Sequence, residues 1–402
     1  MTKSAQPFLP YGLHDVDEDD IRAVTDILRG DWLTSGPLVG AFEEAIAKRV
    51  GAKHCITTSN GSTALHLAAV GGGLGQGQVA IVPSVTFQAT ASTVLQTGAE
   101  VVFADVDPHT ALMGPDHLEE ALKRAEQIFP DCTISYALPV HIAGRSTNME
   151  ALSEVAHHHG LKLIEDAAHA FGTSSAEAVV GAGAYSQATT FSFHPVKTIT
   201  CGEGGAVTTN DDELAARMRR LRNHGVVREP HDFVELDQGF DQGEPNPWYY
   251  EISEPAFNYR LTDIQCALGL SQLRRLDDFM EHRKRLLQSY RACFSGFDGV
   301  QFAQADGTEG TSWHLAVSLI DFEAFGTSRG KVMRALAAAG IGSQVHYMPL
   351  YRHPWAKARY GEMSLPGAEA YYAQALSLPL HMRMDAGDVE RVCGTLKDIL
   401  MS

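Results

Sequence analysis

Between residues 54 and 210 the chain alternates short apolar runs with segments of helical period, and this alternation constrains the fold more than any other feature. The runs are HCITTS (54–59), QVAIVPS (78–84), EVVFADV (100–106), ISYALPVH (134–141), LKLIEDA (161–167), ATTFSF (188–193) and GAVTTN (205–210). Most are unbroken apolar stretches rather than strict alternations, the pattern of strands covered on both faces. STALHLAAV, TFQATASTVLQ, GPDHLEEALKRAEQ and NMEALSEVAHHHG lie between them with helical spacing. Strand–helix repetition of this kind predicts βαβ units and an α/β fold with a mostly parallel, seven-stranded sheet.

The flanks complete the plan. DEDDIRAVTDILRGD opens with acids, which suit the positive end of a helix, and places Ile21, Val24, Ile27 and Leu28 on one face. LVGAFEEAIAKRVG predicts a second helix ended by Gly51. Residues 227–258 are rich in Gly, Pro, Asp and aromatics and read as a long loop, with PWYY and AFNY favouring an ordered role. TDIQCALGLSQLRRLDDFMEHRKRLLQSYRACF predicts one long amphipathic helix capped by Thr262. Strand-like WHLAVSLI, a helix around KVMRALAAAG, strand-like IGSQVHY and two closing helices follow. The expected organisation is an arm plus a large α/β domain over 1–262, then a linking helix and a smaller α+β domain over 263–402.

Charge narrows the function. Acids number 49 and bases 32, a net charge of −17, which argues against a nucleic-acid or anionic-membrane partner but leaves room for a local basic pocket. No run of about 18 apolar residues predicts a membrane span. MTKSAQPFLPYGLHDVDEDD holds no signal-peptide core. Cys55, Cys132, Cys201, Cys266, Cys293 and Cys393 form no C-x-x-C pair, and free thiols fit a reducing cytoplasm. GGGLGQG (71–77) follows a helix and precedes a strand, the wrong order for a dinucleotide loop. His157, His158 and His159 point different ways on a helix, so no metal site is expected.

Three strand ends carry the chemistry, since ligands of open α/β sheets bind beyond the carboxyl ends of the strands. SNGSTALHLA offers Gly61, Ser62 and Thr63 at a helix N-terminus, an anion cradle or an ordinary cap. Asp166 ends the next, a capping residue or a partner for a protonated ring nitrogen, with His169 three residues on. Lys197 follows the third in SFHPVKTITCGEGGA. Partial burial and nearby positive charge would lower its pKa and make it a nucleophile. Gly202, Gly204 and Gly205 would let the backbone pass close to a bulky ligand. Each feature alone has a bland reading. Together, in one chain order, they are the requirements of pyridoxal 5′-phosphate.

The chain resembles the DegT/DnrJ/EryC1/StrS family of pyridoxal-phosphate sugar aminotransferases. The carrying stretches are GDWLTSGP, TTSNGSTALHLA, VPSVTFQATAS, PVHIAGR, LIEDAAHAFG, FSFHPVKTITCGEGGAVTTND, FNYRLTDIQCALG and VHYMPL. PWYYE, FNYRLTDIQ and FHPVKTIT look most like the transaminases of pseudaminic acid biosynthesis. The resemblance implies a fold-type I aminotransferase, cytoplasmic and homodimeric, with active sites at the subunit interface. It implies transfer from L-glutamate to C4 of a UDP-linked 4-keto-6-deoxy-N-acetylhexosamine. Another nucleotide-linked keto sugar (dTDP-linked, aminated at C3 or C4), a sugar dehydratase, and a non-catalytic sugar-binding regulator are the alternatives. Carried over residue by residue, Lys197 bonds the cofactor, Asp166 pairs with its ring nitrogen, Phe87 stacks on it, and His169 sits beside it. Gly61, Ser62, Thr63 and Ser192 hold its phosphate, with Asn258 reaching from the partner subunit and Arg260 nearby. Tyr11, Trp32, Leu33, Thr34, His346 and Tyr347 correspond to sugar-nucleotide contacts. AEAVVGAGA (176–184) lacks the lysine and glycine-rich hairpin usual there, and Ala256-Phe257 replaces a usual Gly-Tyr pair.

Overall fold

The computed structural model describes residues 7–175, 178–302 and 310–402. Residues 176–177, which open the divergent stretch 176–184, lie outside them. All seven expected strands form: β1 (His54–Thr58), β2 (Gln78–Pro83), β3 (Glu100–Ala104), β4 (Thr133–Ala137), β5 (Lys162–Asp166), β6 (Ala188–Ser192) and β7 (Gly205–Thr209). They make one sheet in the order β1-β7-β6-β5-β4-β2-β3. Only β7 is reversed, pairing antiparallel with both β1 and β6. β4 stops short of the expected 141. Pro139 has no N–H for a ladder, and Val140 makes only an isolated bridge to Asp166.

Helices cover the sheet, with cores of aliphatic residues on each side. They are α1 (Glu18–Arg29), α2 (Pro37–Val50), α3 (Gly61–Gly71), α4 (Ala89–Gln96), α5 (Pro115–Ile128), α6 (Met149–His158) and α7 (Asp212–Arg222). α2 ends where Gly51 turns left-handed at φ 80°, the glycine C-cap expected there. α1 departs from its expected orientation. Its one fully buried residue is Asp20, while Ile21 and Leu28 are 50% and 58% exposed. Asp20 is turned inward by Arg275 at 2.5 Å and by the Gln272 amide at 2.5 Å.

Residues 227–258 are an ordered excursion with two pairs of two-residue strands, at Val226–Val227 with Glu251–Ile252 and at Phe240–Asp241 with Glu244–Pro245. The Glu251 carboxylate knits it together by accepting from the Val234 and Glu235 amides and the Tyr249 hydroxyl.

The expected long helix after Thr262 is two helices, Asp263–Leu273 and Leu276–Cys293. The break has no Pro or Gly. It arises because the halves pack differently: the first lies against α1 and α2, the second against the C-terminal helix Ala386–Leu400. The smaller unit is an antiparallel sheet of Val300–Phe302, Ala316–Ile320 and Ala375–Leu378. IGSQVHY forms no strand. Ile341 bridges Leu9 and Gln344 bridges Ser377, so two different partners each take one residue. Three closing helices replace the expected two: Pro354–Tyr360, Pro366–Gln374 and Ala386–Leu400.

The N-terminal arm is tied to the smaller unit and to the linking helix. The Leu9 amide donates to Gly340 O, Leu9 O accepts from Gly342, and Tyr11 O accepts from Leu380. A few residues on, Asp20 is tied to Gln272 and Arg275.

Candidate active site

β1, β5 and β6 run in one direction, so their carboxyl ends meet at one edge of the sheet. There a cavity of ≈ 760 Å³ opens between the sheet and the smaller unit. Asn60, Gly61 and Ser62 enter it from the β1–α3 turn, Asp166 from the last position of β5 with His169 beyond it, and Ser192 from the last position of β6 with Lys197 beyond it. His314, His346 and Tyr347 form the facing wall.

The cradle is built by a capping box. The Asn60 side chain accepts from the Thr63 amide at 2.9 Å, and Thr63 Oγ1 accepts from the Asn60 amide at 3.1 Å. This leaves the first-turn amides of Gly61 and Ser62 free of intrahelical acceptors, at the positive end of α3. A Cβ on Gly61 would lie 2.8 Å from Ser192 Cβ, so the cradle floor closes only over glycine. The glycines after Lys197 act differently from expectation. A Cβ on Gly205 would sit 2.4 Å from Asn60 O, so this glycine admits the protein's own turn rather than a ligand.

Asp166 is buried, and its oxygens are fixed by donors. Thr90 Oγ1 donates to Oδ2 at 2.7 Å, and the Ala168 amide donates to Oδ1 at 3.1 Å. Behind it, the buried Glu165 accepts from His141 Nε2 at 2.7 Å, Ser186 Oγ at 2.5 Å and Thr189 Oγ1 at 2.9 Å. Burial pushes the Glu165 carboxyl up, but these hydrogen bonds outweigh it and hold the pKa below the ordinary value.

Lys197 is half-buried, and desolvation lowers its pKa to about 8 against the opposing pull of Asp166. Burial does this unaided; the expected neighbouring cation is not the cause. An amine with this pKa keeps roughly a fifth of its population neutral near pH 7.4, far more than a free lysine, and can attack an aldehyde. His169 accepts from the Ala143 amide at Nδ1 (3.3 Å) and meets the Tyr347 hydroxyl at Nε2 (3.2 Å). Its ring centroid is 4.3 Å from that of His314. Burial, then Lys197 and His346, hold the His169 pKa well below the usual imidazole value. His346, bonded to Ser377 Oγ at 2.8 Å, is lowered to about 3 by burial and Lys197.

The cavity therefore gathers Tyr11, Gly61, Ser62, Phe87, Asp166, His169, Ser192, Lys197, His346 and Tyr347. Thr63 is spent on the cap and does not line it. Thr34 bridges Thr262, Leu33 O accepts from the Asp263 amide, and Trp32 is exposed beside them, all apart from the cavity of their own chain. Asn258 bridges Asn223, whose side chain takes Arg260, also away from it. Thr90, His314 and the His141–Glu165 pair escaped the sequence reading. Thr90 left one trace, its four-residue spacing from Thr86, to which it bonds at 2.8 Å.

These residues fit pyridoxal phosphate: a low-pKa amine, a fixed carboxylate for a ring nitrogen, and amides with hydroxyls for a phosphate. Among the described residues no cluster of His, Cys, Asp and Glu could hold a metal ion, and no helix is long and apolar enough to cross a membrane.

Comparison with known proteins agrees with this fit. A model of the DegT/DnrJ/EryC1/StrS aminotransferase family matches residues 14–397. The spore coat polysaccharide biosynthesis protein SpsC of Bacillus subtilis is 36% identical over 405 residues, covering 100% of this chain and 99% of that protein. Helicobacter pylori PseC, an aminotransferase involved in the biosynthesis of pseudoaminic acid, superposes with a TM-score of 0.86 at 27% identity, covering 98% of this chain and 99% of the other. The sugar aminotransferase Spr1654 of Streptococcus pneumoniae, solved in its PMP form, gives 0.86 at 27% identity with the same coverage.

Proposed function

The chain belongs to the DegT/DnrJ/EryC1/StrS aminotransferase family and is a pyridoxal-phosphate-dependent sugar aminotransferase, and from that premise we propose that it transfers the amino group of L-glutamate to C4 of a UDP-linked 4-keto-6-deoxy-N-acetylhexosamine. The observation that carries the reading is Lys197, a low-pKa amine in the same cavity as Asp166 and the α3 cradle. Its presence favours amino transfer over dehydration.

When bound, the cofactor supplies an aldehyde and an electron-accepting ring. The protein does the rest. The Gly61 and Ser62 amides and the Ser192 hydroxyl would hold the phosphate. Asp166, pinned by Thr90 and Ala168, keeps a proton on the ring nitrogen. Lys197 Nζ would take the proton from the amino donor's α-carbon and pass it to the cofactor's aldehyde carbon, and the reverse transfer would serve the sugar ketone. Phe87 and His169, which line the same cavity, would flank the ring.

Two further points support the finer reading. The resemblance to PseC favours a UDP-linked keto sugar. The single chain leaves Trp32, Leu33, Trp248, Tyr250 and Ile252 roughly half or more exposed, and Asn258 faces out. A second copy would cover such a surface and bring Asn258 and Arg260 to its neighbour's cradle, so the working unit is proposed as a homodimer. A panel of UDP- and dTDP-linked keto sugars, scored for amination by mass spectrometry with L-glutamate as donor, tests the substrate. Amination of dTDP sugars alone, or at C3, would replace it.

A further inference from the structure

Ala143, His169 and Tyr347 form one hydrogen-bonded line into the cavity. The Ala143 amide lies 3.3 Å from His169 Nδ1, and His169 Nε2 lies 3.2 Å from the Tyr347 hydroxyl oxygen. We infer that the Ala143 amide sets the direction of this line, so that His169 donates to Tyr347 and Tyr347 turns its own O–H into the cavity as a donor to a ligand oxygen.

The argument starts from the one member that cannot reverse. A backbone N–H only donates, so the nitrogen facing it must be bare. Ala143 is 2% exposed, and orphaning its amide would carry the desolvation cost of a buried donor. Nor can the turn swing away. Ala143 O accepts from the His314 amide at 3.0 Å, and Gly144 O accepts from Thr173 Oγ1 at 2.7 Å. A Cβ on Gly144 would stand 2.8 Å from Ser312 Oγ and 2.9 Å from Trp313 N, so the 142–144 turn is wedged against residues 312–314. Ser312 Oγ in turn donates to His169 O at 3.1 Å. Both the turn and the histidine are gripped by the same segment.

A neutral imidazole carries one proton, and with Nδ1 accepting, that proton is on Nε2. Burial among Lys197 and His346 keeps His169 neutral. Tyr347 Oη is then the acceptor of this bond. Among the described residues its hydroxyl has no other hydrogen-bond partner, and it lines the cavity with Lys197 and Asp166. Burial and Asp166 raise the phenol pKa, so it stays a donor. His141 shows the same device completed inside the protein. The Thr147 amide donates to its Nδ1 at 3.2 Å, and its Nε2 faces Glu165. There the line ends on a carboxylate; at Tyr347 it ends in the ligand cavity.

The recipient is an electron-rich oxygen, either the phenolic oxygen of the cofactor or the carbonyl oxygen of the keto sugar. That choice rests on the proposed function; the direction of the line does not. Neutron diffraction of the deuterium-exchanged holoenzyme tests the direction. Deuterium on His169 Nε2, none on Nδ1, and the Tyr347 deuterium turned away from His169 are expected. Deuterium on Nδ1, or a Tyr347 deuterium aimed at His169, overturns the inference whatever the sugar. Tyr347→Phe then identifies the recipient. A cofactor oxygen predicts about tenfold or weaker cofactor binding and a shifted absorption maximum. A sugar oxygen predicts an unshifted maximum with kcat/KM for the keto sugar down about tenfold or more. Unchanged cofactor binding, absorption and sugar kinetics together overturn it.

Discussion

Gly205→Ala should unseat the phosphate cradle, and Gly202→Ala, three residues away, should not. The new Cβ at 205 would lie 2.4 Å from Asn60 O, 2.6 Å from Asn60 C and 2.9 Å from Gly61 N, whereas ordinary contact begins at 3.4 Å. Gly205 cannot retreat within the sheet, because it is in register with Thr58 of β1 on one side and Ser192 of β6 on the other. The first turn of α3 must therefore move by roughly 1 Å, an overpacking that costs about 1–3 kcal/mol. A displacement of that size in positioned groups costs up to about 100-fold in function. Cofactor affinity of the apoprotein, measured by equilibrium dialysis, should weaken about 10- to 100-fold. At Gly202 the backbone is left-handed (φ +78°) with nothing within 4 Å of the new Cβ. That substitution strains one residue by about 1–2 kcal/mol and spares the cradle. Wild-type affinity in the Gly205 variant, or equal losses in both, would refute the packing argument.

Lys197→Met should stabilise the apoprotein. With a folded pKa of about 8 against 10.5 for a free lysine, the unfolded state binds more protons between those values, so wild-type stability rises with pH across that window. The advantage of the methionine is full below about pH 8 and gone above about pH 10.5, as urea midpoints at several pH values would report. Glu165→Gln should flatten the acid limb. The wild-type carboxyl has a lowered folded pKa, so its stabilisation is present above about pH 4.5 and lost as pH falls through the folded value. Denaturation midpoints of the two proteins should converge on acidification. Arg275→Met strips Asp15, Asp17 and the buried Asp20 of their shared cation. This should cost up to about 3 kcal/mol and speed proteolysis within α1, read by mass spectrometry of the fragments.

The seven strands were legible because both faces of the sheet are covered, which writes each strand as an unbroken apolar run. The Lys197, Asp166 and Gly61 positions were legible because the chemistry stands at strand ends, where chain order maps onto one edge. The break at Arg274–Arg275 was not. The helical period runs through it without Pro or Gly, and the partners that divide it, Asp15 and Asp20 on one side and the C-terminal helix on the other, are remote in sequence. Ala375–Leu378 is four residues wedged against the end of a helix, too short to show alternation, and takes its identity from its neighbour Ala316–Ile320. The inward turn of Asp20 rotated the buried face of α1, leaving Val24 and Ile27 part-buried beside it and Ile21 and Leu28 exposed, because a charged partner set outweighed apolar periodicity. The Thr90–Asp166 and Ala143–His169 bonds are tertiary and leave no local signature.

The arm described above has a mechanical consequence. One end is stitched to the smaller unit through Leu9 and Tyr11, the other knotted to Gln272 and Arg275 where the linking helix breaks. A swing of the smaller unit away from the linking helix would pull on this leash and have to break backbone bonds or a carboxylate knot. Any displacement of the smaller unit would therefore be felt at Asp20, through an arm that also lines the cavity at Tyr11.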